Sequence, residues 1–299
     1  MPGIPLPAGE AIGETWELYD RADGASGLRG TSATLTDLMR ESAAELLGRG
    51  VASGHAGRFP LLLKFIDARE ALSVQVHPGE AAARAENDGG KHEASIVLHA
   101  GPQARIVRGL RPGVDPAEFR AKAHEAAVEP LLWSFAPQVG DCIEFPPGTV
   151  HALGPDVVLF EIQQNSDVTY RLYDWGRPRP VQVQKALAVT QFDLGSAGGE
   201  RPIVAPVALP DGGVQLVANA HFRVRRYGLQ RPLQIATKRR FCVVTVVGGR
   251  GVLGWHSGGA DAPLPLVAGD TVLVPAAVEN VFLSPVGRLD VLVSDPGER

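Results

Sequence analysis

A chain of 299 residues has room for two domains or one large one, and for a sizeable buried core. Its 29 Lys+Arg against 33 Asp+Glu leave a net charge of −4, so no global positive field exists to gather nucleic acid or an anionic membrane surface. Hydrophobic residues at 44% with charged residues at 21% exclude whole-chain disorder, while 35 Gly and 24 Pro point to many turns between short strands.

The start, Met1-Pro2-Gly3-Ile4-Pro5-Leu6-Pro7, lacks the basic opening and apolar stretch of a secretory signal, which predicts a cytoplasmic protein. No apolar run approaches the ~18 residues of a membrane helix. Cys142 and Cys242 are the only cysteines, too few for a disulfide framework or a CxxC metal site, and both are expected to be small apolar strand residues. Helical spacing is local: Leu35 to Leu47 carries apolar residues at three- and four-residue steps behind a Thr/Asp start, and Asp115-Pro116-Ala117-Glu118 opens a second helix. Strands are predicted at 61–66, 71–76, 95–98, 105–107, 142–145, 157–162, 222–227, 241–247, 251–255, 271–274, 281–283 and 289–293. So many short strands predict sandwich or barrel modules. Gly249-Arg250-Gly251-Val252-Leu253-Gly254 fits a dinucleotide fingerprint, but strands flank it and no helix follows, so it reads as a hairpin turn. The Gly- and Pro-rich stretch from Leu194 to Pro202 predicts a junction near 195, dividing the chain into domains 1–194 and 195–299.

An internal repeat links the two parts. Gly140-Asp141, the strand Cys142-Ile143-Glu144-Phe145 and the bend Pro146-Pro147-Gly148-Thr149-Val150-His151 align without a gap with Gly269-Asp270, Thr271-Val272-Leu273-Val274 and Pro275-Ala276-Ala277-Val278-Glu279-Asn280. The first copy ends on a potential metal ligand, His151. The second ends on Asn280 and carries Ala277 in place of the bend glycine.

Gln75 and His77, one residue apart, emerge on one side of a strand, and Lys91 and Glu93 share a face in the same way. With His151 they offer two imidazoles, one carboxylate and one amide, a mixed N/O set suited to Zn²⁺ and tolerant of Co²⁺, Mn²⁺ or Fe²⁺. His92 is expected to face away from that site and His99 to lie at a strand end, both supporting the site from behind or serving structure, while His55, His124, His221 and His256 read as ordinary histidines.

Gly140-(five residues)-Pro146-x-Gly148-x-x-His151 resembles the second motif of cupins. Together with Leu72-Ser73-Val74-Gln75-Val76-His77-Pro78, Gly90-Lys91-His92-Glu93, Gly148-Thr149-Val150-His151-Ala152-Leu153 and the run Gln163 to Asp174, it is similar to type I mannose-6-phosphate isomerases in their short bacterial form. Gly13-Glu14-Thr15-Trp16-Glu17 also fits, and one departure is His92, where a small hydroxyl residue is more usual. The resemblance covers most of the first 180 residues in order; the rest follows only by topology and by the repeat. It implies a mainly β protein of two jelly-roll cupin barrels, with a few short helices in or beside the first and a degenerate, metal-free second. It implies one Zn²⁺ per subunit on Gln75, His77, Glu93 and His151, and interconversion of mannose 6-phosphate and fructose 6-phosphate.

Moving a proton between C1 and C2 through an enediol needs a base near both carbons and positive charge near both oxygens. Glu161, on the strand after the His151 bend, is the candidate base, the alternative being that it merely neutralises Arg171. Arg171 and Lys91 are the candidates for steadying the enediolate or holding phosphate, with Arg177 and Arg179 as further phosphate candidates. Rival readings on the same ligands are a cupin dioxygenase or epimerase using Fe²⁺, or a sugar-binding regulator. The expected partner is a small sugar phosphate; oligomeric state stays open, a monomer being compatible.

Overall fold

The computed structural model describes residues 12–52, 57–194, 201–255 and 263–297. The first seven residues read for a signal, His55, His256 and most of the 194–202 junction lie outside these. The chain forms two compact units, and they are not contiguous halves: Leu62–Val204 with a short stretch ending at Thr15 form one, whereas Trp16–Leu61 group with Ala205–Arg299 in the other. The expected 1–194 segment therefore splits, its early residues grouping with the second barrel.

The strands that concern the first unit are β1 (Glu14–Leu18), β2 (Leu61–Ala68), β3 (Val74–Val76), β4 (Glu93–Ala100), β5 (Ile106–Leu110), β6 (Leu132–Phe135), β7 (Cys142–Phe145), β8 (His151–Leu153), β9 (Val157–Gln164) and β10 (Tyr170–Tyr173). They form two five-stranded sheets, ordered β1-β2-β9-β4-β7 and β10-β3-β8-β5-β6. Strand alternation sorts the second sheet. Val74, Val76, Ala152, Tyr170 and Leu172 turn outward into a core with Phe119 and with Ala186 and Leu187 of a helix at Val183–Val189. Burying each such Val or Leu contributes about 1.5–3 kcal/mol. The opposite faces meet in a second core of Ile66, Val97, Ile106, Ile143, Phe145, Leu153 and Leu159, which fills one end of the barrel. Farther along those same inward faces the residues become polar, and there the candidate site lies.

In the second unit, helix Leu35–Leu47 starts as expected: the Thr34 hydroxyl accepts from the Asp37 amide and the Asp37 carboxylate accepts from the Thr34 amide, a capping box. Its end is tied within the unit, since Phe241 and Ala276 donate backbone hydrogen bonds to Leu47 and Leu46. The barrel strands include Phe222–Leu229, Cys242–Trp255 and Asn280–Pro296, the last two paired along most of their length.

The expected hairpin at 249–254 is a correction. Cys242–Trp255 is one strand with irregularities at Val246/Gly248 and Gly249/Gly251. Gly249 has φ +74°, and a Cβ there would collide with the Arg288 carbonyl. The glycines thus let two backbones approach at a bulged corner rather than reverse the chain. Likewise 281–283 and 289–293 belong to a single strand, Asn280–Pro296. Among the described residues, no helix is long and apolar enough to cross a membrane.

Candidate active site and metal centre

Three of the expected ligands converge. The ligand atoms of His77, Glu93 and His151 lie within 4.8 Å of one another, all three side chains buried. His151 opens β8, directly opposite Gln75 in register, and the bend before it is fixed by Gly148, whose φ of +88° favours glycine. The Gly148 amide donates to the His77 carbonyl at 2.8 Å, tying the bend to the strand that carries the other imidazole.

Each imidazole is oriented from behind. His77 Nδ1 lies 3.0 Å from the Val168 carbonyl and His151 Nδ1 2.9 Å from that of Thr149. A carbonyl only accepts, so Nδ1 carries the proton on both rings and each Nε2 lone pair faces inward. There His77 Nε2 stands 3.3 Å from Glu93 Oε2, and His151 Nε2 stands 3.1 Å from Glu93 Oε1. His77 Nε2 and Glu93 Oε2 are buried and make no hydrogen bond. An imidazole lone pair facing a carboxylate oxygen at that separation is costly unless a cation lies between them, and Lys91 Nζ reaches only the carboxylate, at 3.4 Å, so the donors fit a divalent metal of borderline hardness.

Burial, helped by Lys91 and His151 against the pull of Glu93, holds the His77 imidazole down to about 3, the neutral state that a ligand requires. Burial works the other way on Glu93, but His77, Lys91 and His151 outweigh it and keep the carboxyl well below its usual range. Gln75 is beside the group but turned: its Nε2 lies 3.2 Å from His151 Nε2 while its Oε1 accepts from Ser73 Oγ at 3.2 Å. A half-turn of the amide would bring the oxygen inward.

The proton-transfer candidates lie on the facing sheet. Lys91 Nζ is 3.4 Å from Glu93 Oε2, and its side chain is buried. Glu161 pairs in register with Ser95 as Gln163 does with Glu93, so these four share the inward face of β4 and β9. Glu161 Oε2 accepts from Ser95 Oγ at 3.2 Å. Its other oxygen meets Lys64 Nζ at 3.1 Å, and Lys64 also lies 3.5 Å from Glu14. The ion partner of Glu161 is thus Lys64, not Arg171. Burial and the Glu93 charge push the Glu161 carboxyl upward against Lys64 and Lys91. Burial alone would depress Lys64, and Glu161, Glu14 and Glu93 reverse that.

Arg171 is opposite Gln75 in register, which extends the row from His151. Its Nη1 donates to the Pro180 carbonyl at 2.7 Å, and its buried Nε makes no hydrogen bond. Arg177 and Arg179 are engaged by Asp174, at 2.8 and 2.6 Å, and Arg177 also meets Glu70 at 3.4 Å, so two carboxylates balance the two cations without a ligand. His92 faces away, its Nε2 2.9 Å from Glu144 Oε1.

A jelly-roll barrel of two five-stranded sheets, apolar at one end and lined at the other by buried imidazoles and a carboxylate that could hold a metal, defines a cupin. A family model for the catalytic domain of type I phosphomannose isomerase matches residues 2–100. The mannose-6-phosphate isomerase ManA of Bacillus subtilis is 30% identical over 98% of this chain and 91% of that protein. A crystal structure of mannose 6-phosphate isomerase from Bacillus subtilis is 27% identical with a TM-score of 0.79, covering 94% of this chain and 89% of that one. A mannose 6-phosphate isomerase structure bound with zinc and yttrium shares the fold at a TM-score of 0.78 and 19% identity, covering 99% of this chain and 94% of that one. The chain belongs to the type I mannose-6-phosphate isomerase family and is an enzyme.

Proposed function

We propose that this enzyme interconverts mannose 6-phosphate and fructose 6-phosphate through an enediol, with one Zn²⁺ per subunit held by Gln75, His77, Glu93 and His151. The observation that carries this reading is the convergence of the buried His77, Glu93 and His151 ligand atoms, with His77 Nε2 making no hydrogen bond, beside a second buried carboxylate and buried lysines. The zinc of the related isomerase structure supports the choice of metal. Bound there, the metal would polarise the oxygens on C1 and C2 and lower the cost of enediolate charge.

The chain's own groups do the rest. Glu161 takes the proton from one carbon and returns it to the other; burial and the Glu93 charge push its carboxyl upward, which favours its holding the proton between the two transfers. Ser95 and Lys64 fix its two oxygens, so the carboxylate is aimed before substrate arrives. Lys91 and Arg171 supply positive charge to the developing enediolate oxygen and to the phosphate, Lys91 as a point charge and Arg171 with its fork of N–H donors. The site's depth keeps bulk water from the carbanion-like centre.

Metal content and a coupled fructose-6-phosphate assay, measured side by side, test the assignment. His77→Ala and His151→Ala are expected to lose both metal and turnover. Arg171→Ala should keep the metal and turn over slowly, with kcat/KM well below the parent but still measurable, and Glu161→Gln should keep the metal and lose isomerisation along with deuterium uptake from solvent. Normal turnover in either of the last two would remove that residue's role.

A further inference from the structure

We propose that Asp174 is a positioning residue for Arg171, acting through the turn 174–182; this rests on the reading of Arg171 as a substrate-contacting group. A carboxylate as buried as Asp174, at 3% exposure, demands charge partners. It has two. Its Oδ1 accepts from Arg177 Nη2 at 2.8 Å and Arg179 Nη2 at 2.6 Å, and its Oδ2 accepts from Arg179 Nε at 2.7 Å, a bidentate grip on Arg179.

The chain leaves β10 here and doubles back. Trp175 has a φ of +55°, a conformation costly for a bulky side chain that its contacts must hold, and Gly176 follows at +78°, which glycine adopts freely. Two of those contacts reach the segment leading into β3: Trp175 Nε1 donates to the Leu72 carbonyl and Arg177 Nη2 to the Ala71 carbonyl, each at 2.7 Å. β3 is the strand that carries Gln75. The returning limb then grips Arg171 at three points. Pro180 O accepts from Arg171 Nη1 at 2.7 Å, Gln182 Oε1 from the Arg171 amide at 3.0 Å, and the Arg171 carbonyl accepts from the Gln182 amide at 2.8 Å.

Asp174 therefore clamps both arginines of the turn, the turn fixes where Pro180 and Gln182 lie, and those fix the Arg171 fork relative to the row of Gln75 and His151. With Asp174 uncharged, three guanidinium groups would share one short turn with no buried anion among them. The turn would relax outward, and Arg171 with it.

The test is a double-mutant cycle on the zinc-loaded enzyme. Asp174→Asn should keep the metal and lower kcat/KM by about 10–100-fold, the cost of an ångström-scale misplacement. It should divide that loss between kcat and KM as Arg171→Ala does. In an Arg171→Ala background the same substitution should change kcat/KM by less than about twofold. Equal factors in both backgrounds, or wild-type turnover in Asp174→Asn, would overturn the proposal while leaving Arg171 its role. Wild-type turnover in Arg171→Ala would instead remove the role of Arg171 and the proposal with it. If Asp174→Asn does not fold, Arg179→Ala breaks the same clamp from its exposed side and should show the same non-additivity; equal factors there would refute it equally.

Discussion

Replacing Lys64 by Met isolates the pair on which the aim of Glu161 depends. Lys64 lies in the apolar run Leu61-Leu62-Leu63-Lys64-Phe65-Ile66 and is 6% exposed, with Glu161 at 3.1 Å. Met matches the stem of lysine closely enough that the packing of β2 should survive, so the change is chiefly electrostatic. Removing one partner of a buried pair costs about 3–5 kcal/mol, because the remaining charge must be neutralised or left uncompensated. Glu161 keeps only Ser95 Oγ as a hydrogen-bond partner among those described above, and burial together with Glu93 already pushes it toward its protonated form. Lys64→Met should therefore unfold about 3–5 kcal/mol more easily in urea, measured in excess chelator so that lost metal does not add to the difference. Lys64→Met with Glu161→Leu should return to within about 1 kcal/mol of the parent, since well-packed apolar replacements of a buried pair are close to neutral. A single variant costing under about 1 kcal/mol, or a double variant as unstable as the single one, would refute this account of the pair.

Gly148→Ala places a Cβ 2.7 Å from Gln191 Cγ and 2.8 Å from the Val189 carbonyl at a φ of +88°. It should destabilise the fold by about 1–3 kcal/mol and weaken metal binding, read by calorimetric titration with zinc, because the bend that presents His151 must shift. Both thiols are buried in the folded chain, and burial pushes Cys242 up to about 12 and Cys142 upward as well. The thiol form is thus favoured in the fold up to high pH, and a disulfide reagent at pH 8 should modify neither cysteine until urea unfolds the chain; rapid labelling of the native protein would contradict the burial.

Alternation along single strands made much of the site legible. Gln75 and His77, or Lys91 and Glu93, can be placed on one face from spacing alone, and the repeated Gly-Asp-strand-Pro pattern located His151. What spacing does not encode is which distant partner a buried charge finds. Lys64 carried a signal, a lone cation in an apolar strand, yet nothing local says that Glu161 answers it. Arg177 and Arg179 read as phosphate candidates because Asp174 looks like an ordinary turn residue until its burial is seen. The glycines at 249–254 failed as a hairpin because glycine serves a close backbone approach as readily as a reversal, and only the pairing with 280–296 distinguishes them. Helix Val183–Val189 was missed: it is short, bounded by β-branched valines and preceded by prolines, which mask helical periodicity.

The grouping of Trp16–Leu61 with Ala205–Arg299 bears on how the protein is made. During synthesis the helix at Leu35–Leu47 leaves the ribosome long before Phe241 and Ala276, whose amides close its end, have been translated. The metal-binding barrel can be assembled in the interval from residues that follow closely in the chain, whereas the early segment must wait with its apolar side uncovered. A message truncated between the two barrels would yield a product bearing that helix without its partners, a natural target for proteolysis and chaperone capture.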